Sequence, residues 1–171
     1  NEETCAEISL GGKKDIDVAV GAAKKAFETW AFSEKEERLE LLEKLYVVYK
    51  KRWAEMAKLI TLEMGAPMKF STEMQAATGA SHIKSFKNIL KDFKFEKDLG
   101  EEKNNQKLIY EPKGVCALIT PWNWPINQVN LKVIPALASS CTVVLKPSEI
   151  APLSSMLLAE MIDEVKFPPG V

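Results

Sequence analysis

One histidine in 171 residues leaves several familiar chemistries with little to stand on. A histidine-based zinc site needs more imidazoles than His82 can give, and a Ser-His-Asp triad would have to be built around that single ring. His82 sits among Ser81, Ile83 and Lys84 and reads as a plain helix-face residue. Cysteine is scarce too: Cys5, Cys116 and Cys141 show neither paired nor metal-type spacing, so no metal site is expected. Cys116 and Cys141 fall in or beside apolar strand candidates. A thiol there, without basic neighbours, stays protonated and packs as a small hydrophobe. The formal net charge of -1 gives no electrostatic case for nucleic acid or an anionic membrane. No apolar run approaches the roughly 18 residues that a membrane span requires. No signal peptide is visible, although the chain opens at Asn1 rather than methionine, and the expected setting is the cytoplasm. Internal repeats are missing, and so is any G-x-G-x-x-G, the usual dinucleotide fingerprint.

What remains suits a globular protein with one good core. Apolar residues make up 46% and charged residues 27% of the chain. After a short lead-in ending in Gly11-Gly12, helical periodicity starts at Asp15, a candidate N-cap, with Ile16, Ala19, Val20, Ala23, Phe27 and Trp30 on one face. Ser33-x-x-Glu36 fits a capping box for a second helix. Its stripe of Leu39, Leu42, Leu45, Tyr46 and Tyr49 continues through Trp53, Met56, Ala57 and Ile60. Thirty residues is long for one globular helix, so a break is expected near Lys50 and Lys51, with a stop at Gly65 and Pro67. A third helix spans about residues 70–90, weakened at Gly79. Residues 91–106 read as a solvated connection, and KLIYE at residues 107–111 reads as a half-buried strand.

The informative stretch is residues 114–149, GVCALITPWNWPINQVNLKVIPALASSCTVVLKPSE. Apolar runs at residues 115–120 and 142–145 flank a helical segment, and each run ends in polar and turn-forming residues. Strand, helix, strand is a βαβ unit, and open α/β sheets bind ligands at the carboxyl ends of their strands. Asn123 offers an uncharged amide that could hold an oxyanion, but the residues alone favour a cap for the helix starting at Pro125. Lys146 and Glu149 could bracket a ribose or form an exposed ion pair. Another helix follows at residues 152–165, and residues 167–171 read as a turn toward a third parallel strand. A two-stranded parallel sheet is not self-sufficient, which makes the chain look like part of a larger protein.

This stretch resembles the aldehyde dehydrogenase superfamily, whose pattern runs EPxGV, ITPWNxP, PALAxGNTVVLKPSE, PPGV. PWN followed by KPSE is specific to it, and DIDVAVGAAKKAFETW and TLEMGAPM extend the likeness more loosely toward Asn1. The resemblance implies an α/β fold: N-terminal helices, then the start of a Rossmann-like parallel sheet. The parts are a helical region at 1–106, a strand and connector at 107–113, and the first βαβ unit with its following helix at 114–171. The catalytic domain is expected to be absent.

The implied activity is oxidation of an aldehyde to a carboxylate with NAD(P), through a cysteine thiohemiacetal and thioester. Asn123 matches the oxyanion-hole amide. Ile119, Thr120, Pro121 and Trp122 match a cofactor-lining segment, and Lys146, Pro147, Ser148 and Glu149 the loop that contacts the adenosine ribose. Lys132 matches a proton-relay lysine of some members, with a helix-surface cation as the other reading. Trp124, Gln128 and Leu131 match positions lining the aldehyde tunnel. NAD is favoured over NADP, since a carboxylate near the ribose repels a 2′-phosphate. The intact protein is expected to be a homodimer or homotetramer. Ser140-Cys141 replaces the family's Gly-Asn, and Leu131 replaces a frequent tryptophan. No cysteine present matches the nucleophile's context, so these residues alone are expected to be inactive. The competing readings are a non-catalytic nucleotide-binding or oligomerisation module of the same fold, and a helical interaction protein.

Overall fold

A computed structural model describes residues 3–100 and 106–171. Asn1 and Glu2, at the head of the lead-in, and residues 101–105, within the expected solvated connection, lie outside the described residues. Helix α1 (Lys13–Trp30) buries Ala23 and Trp30, and it starts earlier than its periodicity suggests. Gly12 is the N-cap. Asp15, expected there, stands three positions on, and its carboxylate accepts the Gly12 N–H at 2.7 Å. The apolar face also opens at its beginning, because Ile16 is exposed beside the lead-in.

Helices α2 (Lys35–Lys51) and α3 (Trp53–Met64) are separated at Arg52, close to the expected break. Ser33 does not cap α2; the N-cap is Glu34, which makes no side-chain cap bond. The Ser33 hydroxyl is turned instead to Ser140 Oγ at 3.5 Å, and its N–H, which a capping box would give to Glu36, donates to Trp30 O at 3.0 Å in the closing turn of α1. Gly65 ends α3 at φ 73°, a left-handed cap that favours a residue without Cβ. The expected third helix is composite. It runs as α4 (Met68–Phe70), one wide π turn (Ser71–Gln75) and α5 (Ala76–Asp92). Gly79 within it is a point of close approach, because an added Cβ would overlap the Tyr49 hydroxyl and meet Ile126 Cγ1 at 3.0 Å.

Inside the charge-rich connection lies an unexpected strand, β1 (Glu96–Asp98), antiparallel to β2 (Lys107–Ile109), with Lys97 opposite Leu108. All three residues of β2 are exposed, so the half-buried strand expected there is not found. Both strands are exposed along their length, and a two-stranded ribbon by itself has little to bury against. The parallel pair is β3 (Val115–Ile119) with β4 (Thr142–Lys146), joined through α6 (Pro125–Ala138) and followed by α7 (Leu153–Glu164). Its register runs from Val115 opposite Thr142 to Ile119 opposite Lys146. On the other side of β4, the Val143 N–H donates to Val171 O at 3.0 Å, in the direction of the expected third strand.

The helices and the βαβ unit share one core. Leu42, Leu45, Tyr49, Met56, Ile60 and Ile83 join Ile126, Ile134, Leu158 and Met161 in a single buried cluster. Burying side chains of this size stabilises by roughly 1.5–3 kcal/mol each before conformational entropy is counted. Polar ties cross the same boundary: Trp30 Nε1 donates to Cys141 O at 3.2 Å, Thr142 Oγ1 to Ala23 O at 3.0 Å, and buried Arg38 to Ala138 O at 2.5 Å. The βαβ unit is thereby seated on the helical layer.

Candidate functional site

Strands β3 and β4 end side by side, and the contact continues one step further. The Thr120 N–H donates to Lys146 O at 3.3 Å, so the loops that follow begin as neighbours. Thr120 is buried at this junction, while Ile119, Trp122 and Asn123 are exposed. Pro125 occupies the first turn of α6, where its missing N–H costs nothing. The N-cap is Trp124, with no side-chain cap bond. Asn123 therefore does not cap α6, and its amide remains directed to neither backbone nor side chain among the described residues.

Trp124 anchors this first loop to the helices. Its Nε1–H donates to Thr78 Oγ1 at 3.1 Å, and its ring lies 5.7 Å from that of Phe70, centroid to centroid. Thr78 and Phe70 were not singled out in the sequence. No local pattern announces them, since α5 and α6 meet only in the fold. Further along α6, Lys132 Nζ donates to the carbonyl and to the side-chain oxygen of Gln128, both at 3.3 Å. These two expected site residues thus engage one another. Leu131 is exposed, at 43%.

The second loop is organised by charge. Lys146 Nζ and Glu149 Oε2 form an exposed ion pair at 2.6 Å, and this bond from Lys146 holds the Glu149 carboxyl below its ordinary range. Ser148 shapes the turn, its carbonyl accepting from the Ala151 N–H and its hydroxyl from the Ile150 N–H, each at 3.3 Å. Lys146, Pro147, Ser148 and Glu149 line one side of a groove of about 530 Å³. Its far wall is the lead-in at residues 8–11 with Ile16, a role that the mixed composition of that segment did not signal. That volume falls within the range of small-molecule sites.

Neither thiol of the strand region is set up as a nucleophile. Cys141 is buried; burial, and secondly the neighbouring Cys141, push the Cys116 thiol up and away from its thiolate.

Two loops at the carboxyl ends of adjacent parallel strands form the kind of edge at which open α/β sheets bind ligands. The aldehyde dehydrogenase family model matches residues 1–171, and the chain belongs to that family. It is 50% identical over 165 residues to a 3-succinoylsemialdehyde-pyridine dehydrogenase from a Pseudomonas species, a match covering 96% of this chain and 34% of that protein. Among solved structures, an aldehyde dehydrogenase from Bartonella henselae superposes with a TM-score of 0.95 at 55% identity, over 99% of this chain and 36% of that one. A mutant aldehyde dehydrogenase C from Pseudomonas syringae, in complex with NAD+ and octanal, gives a TM-score of 0.94 at 40% identity, over 99% and 34%. The chain thus spans about a third of the length of these relatives.

Proposed function

We propose that the protein to which these residues belong oxidises an aldehyde to a carboxylate with NAD(P), using a cysteine nucleophile that lies outside them. One observation carries this reading: the Ile119–Lys146 register, extended by the bond from Thr120 to Lys146, sets the Asn123 loop directly beside the Lys146 and Glu149 loop. An uncharged amide donor and a groove that carries Lys146, Ser148 and Glu149 then share one sheet edge. The parts at 1–106, 107–113 and 114–171 act on this reading as pieces of one cofactor-binding unit.

NAD(P) would supply the hydride acceptor, and the residues present fit it. Lys146 can donate to ribose hydroxyls and Glu149 can accept from them, each exchanging its bond to the other for one to the ligand. Pro147 and Ser148 hold the turn that presents them. Glu149 favours NAD, because a second anion at the ribose meets its carboxylate. Ile119, Thr120, Pro121 and Trp122 form the adjoining wall. Asn123 would donate its amide N–H to the aldehyde oxygen as negative charge develops on it, the interaction that lowers the barrier most in such sites. Trp124, Gln128 and Leu131, with Phe70 behind Trp124, would face the rest of the aldehyde and make its path mainly apolar. Lys132 serves as a proton-relay partner only by leaving Gln128. A homodimer or homotetramer follows for the intact protein, the exposed Leu108 and Ile109 of β2 being surface suited to a second copy.

The test is Asn123→Ala in the full-length protein. Loss of one oxyanion donor lowers kcat by about 10²–10³, with NAD affinity and melting temperature unchanged. An unaltered kcat returns Asn123 to a bystander on the loop.

A further inference from the structure

The second loop is held at its far end by a residue ninety positions away. Helix α7 opens at Leu153 with Pro152 in the N-cap position, and no side chain of its own caps it. The proline side chain carries no acceptor, so the N–H groups of the first turn need a partner from elsewhere. Glu63, in the last turn of α3, is that partner. Its carboxylate accepts the Leu153 N–H at 2.5 Å and the Ser154 N–H at 3.2 and 3.3 Å, one from each oxygen. An anion at a helix N-terminus is also favoured by the helix dipole. The group is half-buried: burial pushes its pKa up, opposed by the bonds from Ser154 and Leu153.

Only residues 150–152 separate Glu149 from α7, and the Ser148 turn takes up most of that length. The stretch from Lys146 to Leu153 is thus one short connection, fixed at one end by β4 and at the other by Glu63. We infer that Glu63 is a positioning residue for the cofactor: by holding the first turn of α7 it sets where Ser148 and Glu149 stand at the groove. This rests on the reading of that groove as a ribose site. Glu63 itself lies on the α3 side of α7 and lines no part of the groove.

The experiment compares Glu63→Ala and Glu63→Gln in the full-length protein, reading the Kd for NAD by calorimetry, the KM for aldehyde, and amide exchange over residues 147–158. For Glu63→Ala the NAD Kd rises about fivefold, the factor matching a lost cap, and the Leu153 and Ser154 amides exchange faster. Aldehyde KM stays put. Glu63→Gln keeps an acceptor oxygen and restores most of the NAD affinity. Should Glu63→Ala fail to fold, Glu63→Asp, which draws the carboxylate back by one methylene, must show the same split between NAD and aldehyde. Wild-type protein that binds no NAD overturns the reading of the groove. Wild-type binding with an unshifted Kd in Glu63→Ala, or NAD and aldehyde constants that worsen together, overturns the role of Glu63 alone.

Discussion

The two loops at the sheet edge are built on opposite plans. The first, residues 120–124, is anchored through its backbone neighbours and one aromatic side chain: Trp124 lies on Phe70 and donates to Thr78, and Asn123 is left without a partner. The second, residues 146–152, carries charges that satisfy each other, and it is tied down from α3 through Glu63. A neutral amide with no protein partner among the described residues suits a group that must meet developing charge without first breaking an intramolecular bond. A mutually paired lysine and carboxylate suits reversible binding, because a ribose can replace one bond with another at small net change. On the proposed reading, chemistry and binding draw on different supports.

That contrast can be broken on one side at a time. Beyond the loss expected on removing the Asn123 amide, the largest effect is expected at Gly79, which lets α5 approach α2 and α6. Gly79→Ala places a methyl group against the Tyr49 hydroxyl and Ile126, costing about 1–3 kcal/mol as an overpacked contact. Chemical denaturation reads the loss. Because Thr78 precedes Gly79 and holds Trp124, aldehyde KM shifts as well, whereas NAD affinity stays constant. A change confined to NAD affinity would show that the loops are not separately supported.

A smaller effect is expected at Ser140, which sits at φ 59° between α6 and β4, where the family pattern has glycine. Its hydroxyl recovers only a 3.5 Å contact with Ser33. Ser140→Gly relieves the left-handed strain and stabilises by about 1 kcal/mol, less the extra freedom glycine has when unfolded. A rise in melting temperature with kcat and NAD affinity unchanged would separate stability from both loops. The smallest effect is a pH response confined to the second loop. The Glu149 pKa is depressed, so its paired form is present above the ordinary carboxylate value of 4.5 and is lost as pH falls through the lower folded value. NAD affinity should hold from neutrality down to that range and weaken only below it. The neutral amide of Asn123 has no such titration, and titrating the Kd for NAD against pH checks the difference.

Much of this arrangement was legible in the residues. Short apolar runs on either side of a helical segment located β3, α6 and β4, and glycine with a following proline marked the end of α3. Local chemistry misled where a neighbour had prior claim: Ser33 has the right spacing for a cap, but its hydroxyl is turned to Ser140 and its N–H closes α1. Strand β1 was not legible, because Glu96, Lys97 and Asp98 have weak strand preference and are extended only by pairing with β2. The exposure of β2 was missed for the related reason that alternation implies a buried face only when something covers it. Supports of the site were the least visible. Thr78 acts across 46 residues on Trp124 and Glu63 across 90 on Leu153, and sequence spacing says nothing about such distances.

The π turn at Ser71–Gln75 has a consequence for how this surface can vary. Each residue added to or removed from a helix rotates everything beyond it by about 100°, and a π turn is where a helix carries one residue more than its neighbours need. Removing one residue from that turn would leave α5 packed as it is, but would swing Phe70 around the helix axis and off Trp124. On the proposed reading, the width of the aldehyde path beside Asn123 is therefore open to change by insertion or deletion, with no substitution at either ring.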